Sequence, residues 1–229
     1  MSSSARLSSD FLNYLVSSPV KNGSEPGEDM PIPPLSELSK VLGVSVASLR
    51  EQLEVAEALG LVEVRPRTGI RRLPYSFSPA VSQSLQYAIR LDRSYFEAFS
   101  DLRNQIEAAY WERAVRLLLP EDQSALQDLI LQAWEKLDGR PVQIPHAEHR
   151  ELHLLIYSRL DNPFVQGMLE AYWRAYEEAG LDVYADYDYL REVWKYHQSM
   201  VDYICSGNYA AGYQALIEHM DLLNQRPFK

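Results

Sequence analysis

The sequence predicts a mainly α chain in two parts: a short N-terminal head of helices closed by a small β-hairpin, and a longer C-terminal antiparallel bundle built of helices alone. Three observations carry this. Between Leu35 and Leu59 apolar residues recur at helical spacing in two blocks parted by Gly43. The run LVEVRP, the turn residues Thr68 and Gly69, and IRRL then alternate as a strand pair does. From about Ser78 onward every strongly periodic segment has the period of a helix.

A first short helix is expected near Ser9 to Val16, followed by a loop from Val20 to Pro34, which holds four prolines and two glycines without helical period. Leu35, Leu38, Val41 and Leu42 then share one helical face, and Gly43 ends that helix. Ser45 is a good N-cap for the next, which turns Leu49, Leu53 and Ala56 inward. Helix, tight turn and helix followed by a basic hairpin make a winged helix-turn-helix. Beyond it, breaks at Pro120, Gly139 to Pro145, Asn162-Pro163, Gly180 and Gly207-Asn208 divide the rest into about six helices with short connections, which suits an antiparallel bundle. The expected domains are residues 1–74, a linker at 75–79, and residues 80–229.

A chain of 229 residues is long enough for two domains of ordinary size, and 46% hydrophobic with 24% charged residues lies in the globular range. No apolar run approaches the roughly 18 residues of a membrane span. The N-terminus lacks the pattern of a secretory signal, and Cys205 is the only cysteine, so a cytoplasmic protein without membrane contact is expected. The net charge of −10 argues against a protein that coats nucleic acid. Its distribution is uneven. Residues 1–74 hold 8 basic and 9 acidic side chains and the remainder 14 and 23, while Arg65, Arg67, Arg71 and Arg72 crowd into one basic patch on the hairpin.

The second helix of such a head enters the major groove by its first turns. Ser45, Val46, Ala47, Ser48 and Arg50 occupy them: the serines suit phosphates or base edges, Arg50 suits guanine or phosphate, and Val46 suits a thymine methyl. Arg65, Arg67 and Arg71 on the wing suit phosphates. A homodimer on a double-stranded operator with two half-sites is the expected assembly. The segment PPLSELSKVLGVSVASLREQLEVAEALGLVEVRPRTG, within residues 25–72, resembles the GntR-type regulators. Ser36 and Val46 stand where that family has arginines, Arg50 and Gly69 are retained, and Arg67 replaces a glycine, so family operators should not be carried over.

All five histidines lie between residues 146 and 219. His149 and His153, four apart on one helix, project the same way. His197 and His219 flank the Gly207-Asn208 turn at about ten and eleven residues, so two antiparallel helices rising about 1.5 Å per residue bring them to similar height. Four imidazoles from three helices thus converge on a divalent transition metal, zinc or nickel being favoured. His146, after Pro145, is expected to face solvent, although its spacing of three from His149 leaves it open as a further ligand.

Residues 80–224 resemble the FCD effector domain of the FadR-like GntR branch through DLRNQIEAAYWERAV, HRELHLLIYSRLDNPFV and YHQSMVDYICSGNYAAGYQALIEH. The resemblance implies metal ligands at His153, His197 and His219, with His149 where a carboxylate is usual. It also implies that Arg103 binds a small carboxylate effector, the alternative being an ion pair with Glu107 one turn on. Tyr110, Trp111, Trp173, Trp194 and Tyr196 could wall that pocket or simply fill the core. A metalloenzyme is the main rival, but HRELH lacks the HExxH order, no Glu precedes a histidine by three, and no phosphate loop or nucleophile elbow occurs. A regulator rather than an enzyme is expected. The other rival is a metal-free dimerisation domain.

Overall fold

The computed structural model describes residues 9–18, 30–178 and 186–224. The chain divides into two compact units, residues 1–83 and 84–229.

In the first unit, α1 (Asp10–Ser17) is started by Ser9, whose hydroxyl accepts from the Leu12 N–H. α2 (Leu35–Leu42) and α3 (Val46–Ala58) follow, parted by Gly43, and Ser45 caps α3 by accepting from the Ser48 N–H at 3.2 Å. β2 (Val62–Arg65) and β3 (Gly69–Arg72) form the expected hairpin. β1 (Met30–Ile32) adds a third antiparallel strand, giving the order β1-β3-β2. This corrects the loop expected through Pro34. Pro31 is compatible with a strand because β1 lies at the sheet edge, where a missing N–H costs no ladder bond.

Phe11, Leu15, Leu38, Leu49, Leu53, Ala56, Val62 and Ile70 form one core. Full burial of a side chain such as Phe11 contributes about 1.5–3 kcal/mol. Gln52 on α3 adds a polar tie, its Oε1 accepting from Ser9 Oγ and the Phe11 N–H, both at 2.8 Å. Val41, expected inward, is 75% exposed, because a helix of two turns needs only Leu38, Leu35 and Leu42 against its neighbours.

Seven described helices follow where about six were expected: α4 (Ser78–Leu91), α5 (Ser94–Leu117), α6 (Pro120–Asp138), α7 (His146–Ile156), α8 (Pro163–Glu178), α9 (Tyr187–Cys205) and α10 (Tyr209–Asn224). The extra break falls between α4 and α5, a stretch without Pro or Gly. There the Asp92 carboxylate accepts from the Ser94 N–H at 2.9 Å and turns the chain. Ser78 and Pro79, assigned to the linker from sequence, already begin α4. The break expected at Gly180 lies outside the described residues.

In the second unit Trp111, Leu126, Ile130, Leu152, Trp194 and Leu216 belong to one large core. α9 and α10 form a tight hairpin whose turn uses Gly207 at φ 73°, a conformation that suits glycine. Two features seat the hairpin on α5: the Trp111 indole donates to the Tyr209 carbonyl at 3.0 Å, and Gly212 lets the backbone approach, since a Cβ there would lie 2.8 Å from Trp111 Cζ2. Among the described residues, no helix is long and apolar enough to cross a membrane.

Candidate metal centre and nucleic-acid interface

α7 is held at its start by Glu148, which is 6% exposed and accepts from Lys136 Nζ of α6 at 2.6 Å. The next turns of α7 carry His149 and His153, while α9 supplies His197 and α10 His219. One ring nitrogen from each of these four histidines lies within 4.8 Å of the others. Imidazole nitrogens sit about 2.1 Å from a zinc ion, so tetrahedral ligands are about 3.4 Å apart; this cluster would close with ring movements of up to about 0.7 Å. His197 and His219 are closest, with centroids 4.4 Å apart, and His149 lies 4.6 Å from His197.

His153, His197 and His219 are fully buried. Burial, reinforced by the neighbouring cationic groups, holds all four rings well below the ordinary value of 6.5, so each is neutral and has a lone pair to offer. Several buried polar atoms of the cluster have no hydrogen-bond partner within the protein. They include His149 Nε2, His197 Nδ1 and both ring nitrogens of His219. Such atoms cost free energy unless something occupies the space between them. The donor set, four neutral imidazoles in a dry interior, fits a borderline-soft divalent ion.

One wall of the cluster comes from α5. Arg103 is 2% exposed; its Nη1 donates to Asn104 Oδ1 at 3.1 Å, and its Nη2 lies 2.8 Å from His153 Nδ1. Glu107, fully buried, places Oε1 2.9 Å from Arg103 Nε and 3.2 Å from His153 Nδ1. Both distances suit ion pairing, but neither contact has hydrogen-bond alignment. Burial raises the Glu107 carboxyl to about 7 against the opposing pull of Arg103 and His219. Arg103 and Glu107 thus sit within ion-pairing distance of each other, beside the histidines.

The sequence singled out Arg103 but missed Glu107 as part of the cluster wall. Trp173 and Trp194 also border the cluster, at 4.7 Å from His149 and 4.9 Å from His197 between ring centroids. Trp173 Nε1 is buried without a partner. Trp111 is engaged with Tyr209, and the Tyr110 hydroxyl accepts from Asn162 at 3.3 Å. Tyr196 is half-buried. His146, expected to face solvent, is half-buried with Nε2 enclosed and unpartnered, because buried Pro145 brings the start of α7 against the bundle.

On the head, Ser45 is exposed at the start of α3 with its hydroxyl engaged as the cap; Val46 and Ser48 are half-buried and Arg50 is exposed. Ser48 Oγ accepts from Gln52 Nε2 at 3.2 Å. On the wing Arg65 and Arg67 are exposed and Arg71 half-buried. Arg65 pairs with Glu63 at 2.8 Å. Arg67 holds φ 70°, the left-handed region that a glycine would occupy without strain.

The FCD domain family matches residues 98–222, more than half of the chain. A search of curated proteins finds no match. Among solved structures, a GntR protein of Streptococcus agalactiae is 16% identical, with 86% of this chain and 90% of its own covered and a TM-score of 0.62. That likeness speaks for the fold. A GntR-family transcriptional regulator of Pseudomonas syringae pv. tomato is 18% identical, with 92% and 78% covered and a TM-score of 0.41. McbR/YncC of E. coli is 22% identical, with 88% and 89% covered and a TM-score of 0.46.

Proposed function

Because the chain belongs to the FCD-domain branch of the GntR-type regulators, we propose that it is a cytoplasmic, homodimeric transcription regulator whose helical domain holds a metal ion at His149, His153, His197 and His219. The observation that carries the metal reading is His219, a fully buried neutral ring with neither nitrogen partnered. In a metal-free dimerisation domain that ring would need buried water as its partner, or would cost about 1–3 kcal/mol for each orphaned group.

Zinc or nickel suits four imidazoles best. When bound, the ion would supply positive charge that attracts an anionic ligand. The protein's own residues complete the effector reading. Arg103 offers a guanidinium fork to a small carboxylate, and Trp173 Nε1, buried without an acceptor, offers a donor beside it. Ser45, Val46, Ser48 and Arg50 on α3, with Arg65, Arg67 and Arg71 on the wing, meet an operator of double-stranded DNA. Effector binding shifts the helices that carry the cluster and thereby alters DNA binding.

Elemental analysis of protein purified without an affinity tag tests the metal reading. About one ion per chain is expected in the wild type, and background levels after His153→Ala with His197→Ala. Substoichiometric metal in every wild-type preparation would overturn it.

A further inference from the structure

His153 has two competing neighbours on a single ring nitrogen. Arg103 Nη2 lies 2.8 Å from Nδ1 and Glu107 Oε1 lies 3.2 Å from it. A guanidinium has only donors and an ionised carboxylate only acceptors, so the two cannot be satisfied by the same tautomer. With Arg103 donating, Nδ1 keeps its lone pair and the proton sits on Nε2. That proton points at His197 Nε2, 3.1 Å away, and the chain Arg103 to His153 to His197 is internally satisfied. In this state His153 presents an N–H, not a lone pair, toward the cluster.

With Glu107 reoriented to accept, the proton sits on Nδ1 and Nε2 is free to ligate. A carboxylate behind a ligating imidazole is the arrangement that fixes the ring's tautomer and raises its basicity. We propose that Arg103 and Glu107 are a positioning pair that sets whether His153 is a ligand: Arg103 holds the non-ligating tautomer and Glu107 the ligating one. The proposal rests on the metal reading above and adds its regulation.

The exchange is balanced. A neutral ring loses the Nε2 proton and gains one at Nδ1, so no net proton is taken up or released. Arg103 is not set adrift when it leaves Nδ1, because its Nε faces Glu107 at 2.9 Å and its Nη1 is held by Asn104. An anion that takes the Arg103 fork removes the competitor for Nδ1. It therefore favours the ligating tautomer, and by reciprocity a loaded centre favours the anion.

The test reads the ring directly. Nitrogen-15 NMR of histidine side chains, with the His153 signals assigned by loss in His153→Ala, is recorded on metal-free wild-type protein and after zinc addition. Expected is the Nε2–H tautomer without zinc and the Nδ1–H tautomer with it. Glu107→Gln, which removes the carboxylate charge and puts a group that can also donate in place of one that only accepts, at nearly constant shape, is expected to weaken zinc binding by about 10–100-fold in a chelator competition. Nδ1–H in the metal-free wild type, or a Glu107→Gln affinity within about twofold of wild type, overturns this inference while leaving the centre intact. A wild-type protein that takes up no zinc overturns both readings together.

Discussion

The head and the histidine cluster are built on opposite principles. On the head the candidate contacts are mostly exposed and lie within one cap, one helix turn and one hairpin, each within a few residues of the feature that places it. In the cluster the histidines are gathered from α7, α9 and α10, with Arg103 and Glu107 from α5, and three of the four rings are fully buried. The difference lies in what substitution costs. An exposed arginine can change with little effect on folding, whereas each polar group in the cluster depends on partners from other helices to offset its desolvation.

The largest expected effect of that contrast is on pH. The four histidines sit well below 6.5 in the folded protein, so on acidification the unfolded chain takes up protons first. Their contribution to stability is fully present above about pH 6.5 and is lost as pH falls below it, at about 1 kcal/mol per ring per pH unit. Glu107, raised from 4.5 to about 7, works in the opposite direction: its contribution is present below about 4.5 and is lost as pH rises through 7. Four rings outweigh one carboxyl. Metal-free protein should therefore show a steep fall in melting temperature between pH 6.5 and 5, and a flat profile there would mean the rings are solvated.

A smaller effect is expected from packing around the cluster. Gly212→Val forces a side chain against Trp111 and should loosen the seat of the α9–α10 hairpin, costing about 1–3 kcal/mol in chemical denaturation. The smallest effect belongs to the head. Arg67→Gly relieves a left-handed residue and should leave stability unchanged or raise it by up to about 1 kcal/mol. It should also reduce the salt dependence of DNA binding by about one phosphate contact, measured by titration at several salt concentrations. Destabilisation of the head by Arg67→Gly would erase the contrast.

The same contrast decides what was legible in the sequence. α2, α3 and the β2–β3 hairpin follow from short-range signals: apolar spacing, Gly43, the Ser45 cap and the Gly69 turn. β1 was hidden because prolines at 31, 33 and 34 read as loop, although an edge strand tolerates Pro31. The break at Asp92 was hidden because a side-chain hydrogen bond turns the chain without Gly or Pro. In the cluster, the spacing of four between His149 and His153 and the matched distances of His197 and His219 from their turn were readable, and the structure gathers those four rings.

Glu107 was not readable as part of the cluster, since at four residues from Arg103 it looks like any helix-surface ion pair. Only tertiary packing buries both and sets them against His153, 46 positions beyond Glu107. His146 was misread for a related reason. Its position at a helix start suggests solvent, but the ring is half-buried and its Nε2 enclosed.

X-ray absorption spectroscopy of zinc-loaded, untagged protein tests most directly whether rings from three helices meet on one ion. The account predicts a nitrogen shell with the outer scattering of about four imidazoles, falling by about one in His219→Ala. A shell dominated by oxygen, or one with a single imidazole unchanged in His219→Ala, would contradict it.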